Sequence, residues 1–389
     1  MASSFDPRSK PSWKVPDREN VLELIIVHSA IYTMLMDQTA PTSSIRLEDA
    51  DYHEVKNLSV KEVEEKLEAL KKKLDDAEFS LISRGKSNQT YRACSDGVKR
   101  YALKDINKCF KPRAEKREAI RYMIDLIIQS FKEEKRPTLA KLNTSSSALD
   151  DICCAIGCTR SSLNVDPSVR GVVGGLLSIK IGKYKTLCTR RDDGEPIPPF
   201  MHSDIILKNR GAKFVLVVEK KSAFNTLMQD KFYVDYPCII ITGIGMPEVG
   251  SRSFLNVLSE KFKIPVYGLF DCDPAGIEIL SVYAAGSYNQ SYDSVNLSCP
   301  FMMWLGVWPS DLHALKIPCK DLTSEEIRKV NTLLEKDFVK EYPTLLEELQ
   351  LMKKKKRKAN LEALEEFGRT CLTKYYLPYK LKYLLTDTD

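Results

Sequence analysis

The segment IPVYGLFDCDPAGIEIL, residues 264–280, ends an apolar run in two aspartates that flank one cysteine. A carboxylate buried without a partner is costly, so Asp271 and Asp273 call for a reason. Side chains two apart on extended chain point the same way, and both can therefore reach one cation. Upstream, the run AKFVLVVEK closes on Glu219. If those two strands lie side by side, Glu219 joins the pair. Three hard oxygen donors without His or Cys suit Mg²⁺, which keeps several waters and takes remaining ligands from phosphate. Clustered carboxylates that stay ionised need such a cation. An isolated Asp-x-Asp at a strand end is often only a cap or turn. A Glu and an Asp-x-Asp closing successive strands of one sheet is the stronger signal.

The elements that must position these acids are legible in the second half of the chain. AKFVLVVEK, PCIIIT and PVYGLFD read as strands, separated by the helical patterns SAFNTLMQDKF and PEVGSRSFLNVLSEKF and followed by PAGIEILSVYAAGS. Alternation of nearly all-apolar strands with helices predicts a parallel sheet covered on both faces, with working residues at the carboxyl ends of its strands. The loop RRDDGEPIPPFMHSD predicts a boundary before that unit. Three regions result: residues 1–98, a tail with helical or coiled-coil segments; 99–198, a DNA-binding unit; and 199–389, the sheet domain with C-terminal helices. In the first, Ser59 and Glu62 have capping-box spacing. Val60, Val63, Leu67, Leu70, Leu74 and Ala77 follow as a seam open to a core or to a partner helix. Residues 99–141 read as helical and rich in Lys and Arg. LDDICCAIGCTRSSLNV followed by GVVGGLLSI reads as a helix, a turn, a short helix and a β-wing, with Arg160 and Arg170 near a phosphate backbone. Residues 353–358, KKKKRK, read equally as a nuclear localisation patch or a solvated helix face.

Composition sets the bounds. The 389 residues suffice for two or three domains, and the net charge of +6 permits nucleic-acid binding without demanding it. No apolar run reaches membrane-spanning length, and the first residues carry no apolar core of a secretory signal. A reducing compartment and free thiols are therefore expected for the 11 cysteines. Cys153, Cys154 and Cys158 lack the paired spacing and neighbouring His of a zinc site. There is no Walker-type or related ATP-binding motif.

With the sheet, the upstream helices and the acids in place, the chain resembles the A subunit of DNA topoisomerase VI and its relatives, the transesterases that open meiotic recombination with double-strand breaks. The resemblance runs from about Cys109 to the C-terminus. It is carried by VLVVEK, FDCDPAGIEIL, YPCIIITGIGMPEVGSRSFL, SVYAAGSYNQSYDSVNL, WLGVWPSDL and KANLEALEEFGRTCLTKYYLPYKL. GCTRSSLNV and SYDSVNL are similar to the plant-type branch. The resemblance implies a winged-helix domain followed by a Toprim-type domain. It implies Mg²⁺ on Glu219, Asp271 and Asp273, and a DNA channel lined by Arg252 and Ser287 as well as Arg160 and Arg170. It further implies a nuclear protein acting on double-stranded DNA as a homodimer, or as a heterodimer with a paralogue, with a B-type ATPase subunit supplying any ATP dependence. In the family a tyrosine of one protomer attacks the phosphodiester beside the metal of the other.

The sequence departs from that pattern at the nucleophile. In RPTLAKLNTSSSALDD, Thr138 aligns, but Asn143 and Thr144 fall where the family has its aromatic pair, and no tyrosine lies between Tyr122 and Tyr184. An alcohol is a far weaker acid than a phenol, whose pKa is about 10. Lys221 stands where the family has an acid, Thr226 where it has Arg, Ile244 where it has Lys and Asn360 where it has Glu. Three readings follow: a cleaving transesterase that uses Tyr122 or Tyr184 or borrows a partner's tyrosine, an inactive DNA-binding scaffold that pairs with active relatives, or a product of splicing or gene prediction without the tyrosine-bearing stretch.

Overall fold

The computed structural model describes residues 16–38, 55–133, 146–167, 170–199 and 205–386. Thr138, Asn143 and Thr144 lie outside the described residues. Helix α1 (Arg18–Gln38) buries Val21 and Ile25 in the same core as the central sheet, and the His28 ring nitrogen meets the Tyr267 hydroxyl at 2.9 Å. The first stretch of chain is thus partly a component of the sheet domain.

A second core gathers helices α2 (Val60–Lys73), α3 (Ala114–Lys132) and α4 (Ser146–Ile156). The capping box forms: the Glu62 N–H donates to Ser59 Oγ, and the Ser59 N–H to the Glu62 carboxylate. Val63, Leu67, Leu70 and Leu74 are buried against this core, so the seam serves its own domain, whereas Val60 and Ala77 at its two ends are exposed. Strand β1 (Leu81–Ile82) pairs antiparallel with β4 (Cys109–Phe110), and between them run β2 (Gln89–Ala93) and β3 (Lys99–Leu103) as a hairpin. The helix expected from residue 99 therefore begins only at Ala114. The missed signal is Asp96-Gly97: Gly97 adopts φ +77°, Asp96 accepts the Val98 N–H at 3.0 Å, and an Asp-Gly turn favours a hairpin.

The central sheet has strand order β13-β12-β10-β11-β5-β8. Its members are β5 (Val172–Gly175), β8 (Glu195–Pro196), β10 (Phe214–Val218), β11 (Cys238–Thr242), β12 (Val266–Leu269) and β13 (Met302–Gly306). Strands β10 to β13 are parallel, and every residue of β10, β11 and β12 is buried, as the apolar runs predict. Strand β5 runs antiparallel alongside β11 and pairs on its other side with β8. The expected wing, GVVGGLLSI, is therefore not a flap on the helices. Its first half is β5, and its second half enters β6 (Leu177–Ile181), which lies between β7 (Tyr184–Leu187) and β9 (Ile205–Asn209) in a separate sheet. Buried Val173 and two glycines that fit tightly against Met228 and the Cys238 carbonyl explain why this segment seeks the core.

Helices α5 (Lys221–Gln229), α6 (Phe232–Asp235), α7 (Val249–Phe262) and α8 (Pro274–Ala285) connect the strands. Beyond them come α9 (Ser294–Leu297), α10 (Pro309–Ala314), α11 (Ser324–Leu334), α12 (Asp337–Lys340), α13 (Pro343–Lys355) and α14 (Leu377–Thr386). The basic run divides. Residues 353–355 end α13 exposed, Lys356 turns the chain at φ +55°, and Arg357 and Lys358 form β15 (Arg357–Lys358) against β14 (Lys320–Asp321). No helix among the described residues is long and apolar enough to cross a membrane.

Candidate metal centre

Strands β10 and β12 are hydrogen-bonded neighbours, with Val218 opposite Leu269. This register brings the next residues together. The Glu219 N–H donates to the Leu269 carbonyl at 3.1 Å, and the Glu219 carbonyl accepts the Gly245 N–H at 2.9 Å. The Asp271 N–H donates to Glu219 Oε2 at 2.8 Å. Asp273 caps α8, accepting the Gly276 N–H at 2.8 Å, with Pro274 in the first turn. Gly276 is required by space: a Cβ there would lie 2.4 Å from the Asp271 carbonyl oxygen and 3.1 Å from Glu219 Oε2.

Burial, then the charges of Asp271 and Asp273, push the Glu219 carboxyl up to about 7. Burial also raises Asp271, although Lys220 and the Leu361 N–H work the other way. Lys220 Nζ lies 2.7 Å from Asp271 Oδ2 and 2.8 Å from Glu362 Oε2, while the Leu361 N–H reaches Asp271 Oδ1 at 2.9 Å. Burial pulls Lys220 down, but these hydrogen bonds hold it above its usual value. Lys220 and Glu362 were not anticipated. Lys220 adjoins Glu219 in sequence, but Glu362 is remote from it.

Among the described residues, no group of three or more His, Cys, Asp or Glu side chains is gathered to hold a metal ion. The expected triad is thus close but not closed, because Asp273 turns one oxygen to its helix and Asp271 faces Lys220. The donor set nonetheless fits a hard cation. It consists of oxygens only, and its two buried members are both raised, chiefly by burial.

The other expected residues are dispersed. Arg160 is 4% exposed, and its guanidinium is bound to Asp150 at 2.6 Å. Arg252 is 2% exposed, donating to the Leu297 carbonyl and to Gln290 Oε1, each at 3.0 Å, and burial lowers it to about 10. The expectation of surface phosphate contacts from these two is corrected: they are internal, and their partners are too distant in sequence to be read from it. Arg170 is exposed and paired with Glu248 at 3.0 Å. Ser287 is half-buried at the start of the 3₁₀ turn Tyr288–Asp293.

Both fallback tyrosines are accessible, Tyr122 on α3 and Tyr184 on β7. Among the departures, Lys221 donates to the Asp193 carbonyl, Thr226 bonds the Ser222 carbonyl within α5, Ile244 holds a left-handed φ of +57°, and Asn360 is exposed before the 3₁₀ turn Leu361–Phe367.

An unanticipated hub joins the helical core to the sheet domain. Asp150 accepts from the Tyr292 hydroxyl at 2.6 Å and from Arg160 Nε at 2.8 Å, and pairs with Arg84 at 3.6 Å. Asp293 lies nearby, fully buried and pushed up to about 7 chiefly by burial.

Comparison with known proteins agrees with this geometry. The family pattern for the Toprim domain of topoisomerase 6 A subunits and Spo11 proteins matches residues 214–381, and Toprim domains typically bind a divalent metal ion. The DNA topoisomerase 6 A subunit of Arabidopsis thaliana is 40% identical over 334 residues, covering 79% of this chain and 76% of that protein. The DNA topoisomerase 6 A3 subunit of Oryza sativa subsp. indica is 45% identical over 61% of this chain and 54% of its own length. Meiotic recombination protein SPO11 of Mus musculus is 35% identical over 61% of each. The chain thus spans less than two thirds of the latter two relatives. It belongs to the family of topoisomerase 6 A subunits and Spo11 proteins.

Proposed function

We propose that this chain binds double-stranded DNA and contributes the metal half of a strand-cleaving transesterification, as a topoisomerase VI A-type subunit or in the initiation of meiotic recombination. The observation that carries this reading is the pairing of Glu219 and Asp271 across neighbouring parallel strands, with Asp273 at the head of α8. In this reading Glu219, Asp271 and Asp273 hold Mg²⁺, which when bound stabilises charge on the phosphate and its leaving oxygen. The backbone bonds of Glu219 to Leu269 and Gly245 fix its place at the strand end, the Asp271 N–H holds its carboxylate, and the Asp273 cap fixes the third donor at a helix N-terminus that itself favours anions. A tyrosine oxygen attacks phosphorus, the bond to O3′ breaks, and the leaving oxygen takes a proton as a free 3′-hydroxyl.

The helices α3 and α4 and the 3₁₀ turn Arg160–Leu163 form the unit we assign to the winged-helix, DNA-facing role. With no tyrosine between Tyr122 and Tyr184, we assign the nucleophile to a tyrosine-bearing paralogue in a mixed dimer. A B-type ATPase partner and a nuclear location complete the proposal. The missing tyrosine equally favours a second reading, an inactive DNA-binding scaffold that pairs with active relatives.

Trapping of end-labelled DNA on denaturing gels separates these readings. The chain alone should give little covalent adduct. Mixed with a tyrosine-bearing paralogue it should support cleavage that is lost in Asp271→Asn. No cleavage in any mixture would favour the scaffold, and an adduct mapped to Tyr122 or Tyr184 would make the chain self-sufficient.

A further inference from the structure

We infer that Lys220 is an internal counter-cation of the metal centre, which releases Asp271 and passes to Glu362 when a divalent ion binds. The inference rests on the metal reading above. The Lys220 ammonium bridges two carboxylates of different standing. Asp271 is buried, whereas the Glu362 side chain is 40% exposed and steadied by a 2.9 Å hydrogen bond from Ser222 Oγ. Both distances to Nζ are hydrogen-bonding, 2.7 and 2.8 Å, so a small rotation of a flexible stem leaves the ammonium paired on one side only.

The two acceptors are braced to each other. The 3₁₀ turn Leu361–Phe367 carries Glu362 and also gives Asp271 the Leu361 N–H, so Glu362 keeps its place when Lys220 moves. Lys220 Nζ bonds two carboxylates, Asp271 and Glu362, and Glu219 beside Asp271 also feels its charge. A divalent ion therefore has acids to spare at the centre once Asp271 is released, and Lys220 has a waiting partner. The Lys220 pairing accounts for the part of the open arrangement that lies at Asp271.

Isothermal titration of the full chain with Mg²⁺ alone, without DNA, tests this in a double-mutant cycle. Lys220→Met should bind Mg²⁺ more tightly, by about tenfold, since a competing ion pair is removed. Glu362→Gln should weaken binding severalfold when Lys220 is present and change it little in the Lys220→Met background. Circular dichroism establishes that each variant is folded. Equal weakening by Glu362→Gln in both backgrounds would reduce Glu362 to a distant charge and overturn the handover. So would a Lys220→Met chain that binds no more tightly than the parent. Absence of Mg²⁺ binding to the parent and to Lys220→Met would overturn the metal reading as well, whereas binding to the parent with no coupling overturns the handover alone.

Discussion

Replacement of Gly276 by alanine is a direct test of how the acidic centre is assembled. A Cβ at this position would sit 2.4 Å from the Asp271 carbonyl oxygen, 3.1 Å from its nitrogen and 3.1 Å from Glu219 Oε2. The first two are backbone atoms, so the start of α8 must move away from the β12 end. Overpacking of this kind costs about 1–3 kcal/mol, and disturbing the Asp273 cap costs about 1 kcal/mol more. Alanine returns up to about 1 kcal/mol through helix propensity, because Gly276 lies within the helix. The net expectation is a loss of about 2 kcal/mol, equivalent to roughly 4–8 °C in melting temperature for a unit of this size. Trp304 and Trp308, both buried in the sheet domain, provide the fluorescence signal for a thermal scan. Mg²⁺ binding should weaken in the same variant, because Glu219 and Asp273 lose their relative placement. An unchanged or higher melting temperature would refute the reasoning, since it would mean that the chain has room where the geometry gives none.

Asp150→Ala should destabilise by about 3–5 kcal/mol, because it leaves the buried Arg160 guanidinium without its carboxylate, and urea titration followed by circular dichroism measures the loss. Asp293 has a folded pKa raised to about 7 from 3.8, so the unfolded chain loses its proton first and stability falls as pH rises from about 4 to about 7. Asp293→Asn should flatten that part of the stability profile by a few kcal/mol; a slope identical to the parent's would remove Asp293 as its source. DNA affinity of the proposed dimer should fall by about 10³-fold between low and moderate salt if six or more phosphates are contacted, and a flat response in a filter-binding titration would contradict that contact.

Glu219, Asp271 and Asp273 were legible because a covered parallel sheet announces itself in apolar runs, and the residue after each run sits at a predictable strand end. Whether a neighbouring group already faces those acids was not legible. Lys220 is adjacent to Glu219 in sequence, but its partner Glu362 is set by the packing of a turn far along the chain. Arg160 and Arg252 illustrate the same limit. Their types suggest phosphate, and only the tertiary structure reveals Asp150, Gln290 and the Leu297 carbonyl as their acceptors. The β2–β3 hairpin was hidden by reading the Lys and Arg after Gly97 as a helical face, although the Asp-Gly turn before them was a local signal. Strand β5 was hidden for a different reason: four residues of Val and Gly do not specify which sheet they join.

The position of β5 between β11 and β8 bears on how the molecule can be divided. Strand β11, CIIIT, is wholly buried, with β10 on one side and β5 on the other. A fragment beginning at residue 199 would discard both β5 and β8 and leave the backbone donors and acceptors of β11 bare beside a row of isoleucines. Such an edge is a template for intermolecular pairing and amyloid-like aggregation. A soluble fragment should instead begin before Val172, so that the antiparallel strands stay as a guard on the flank of β11.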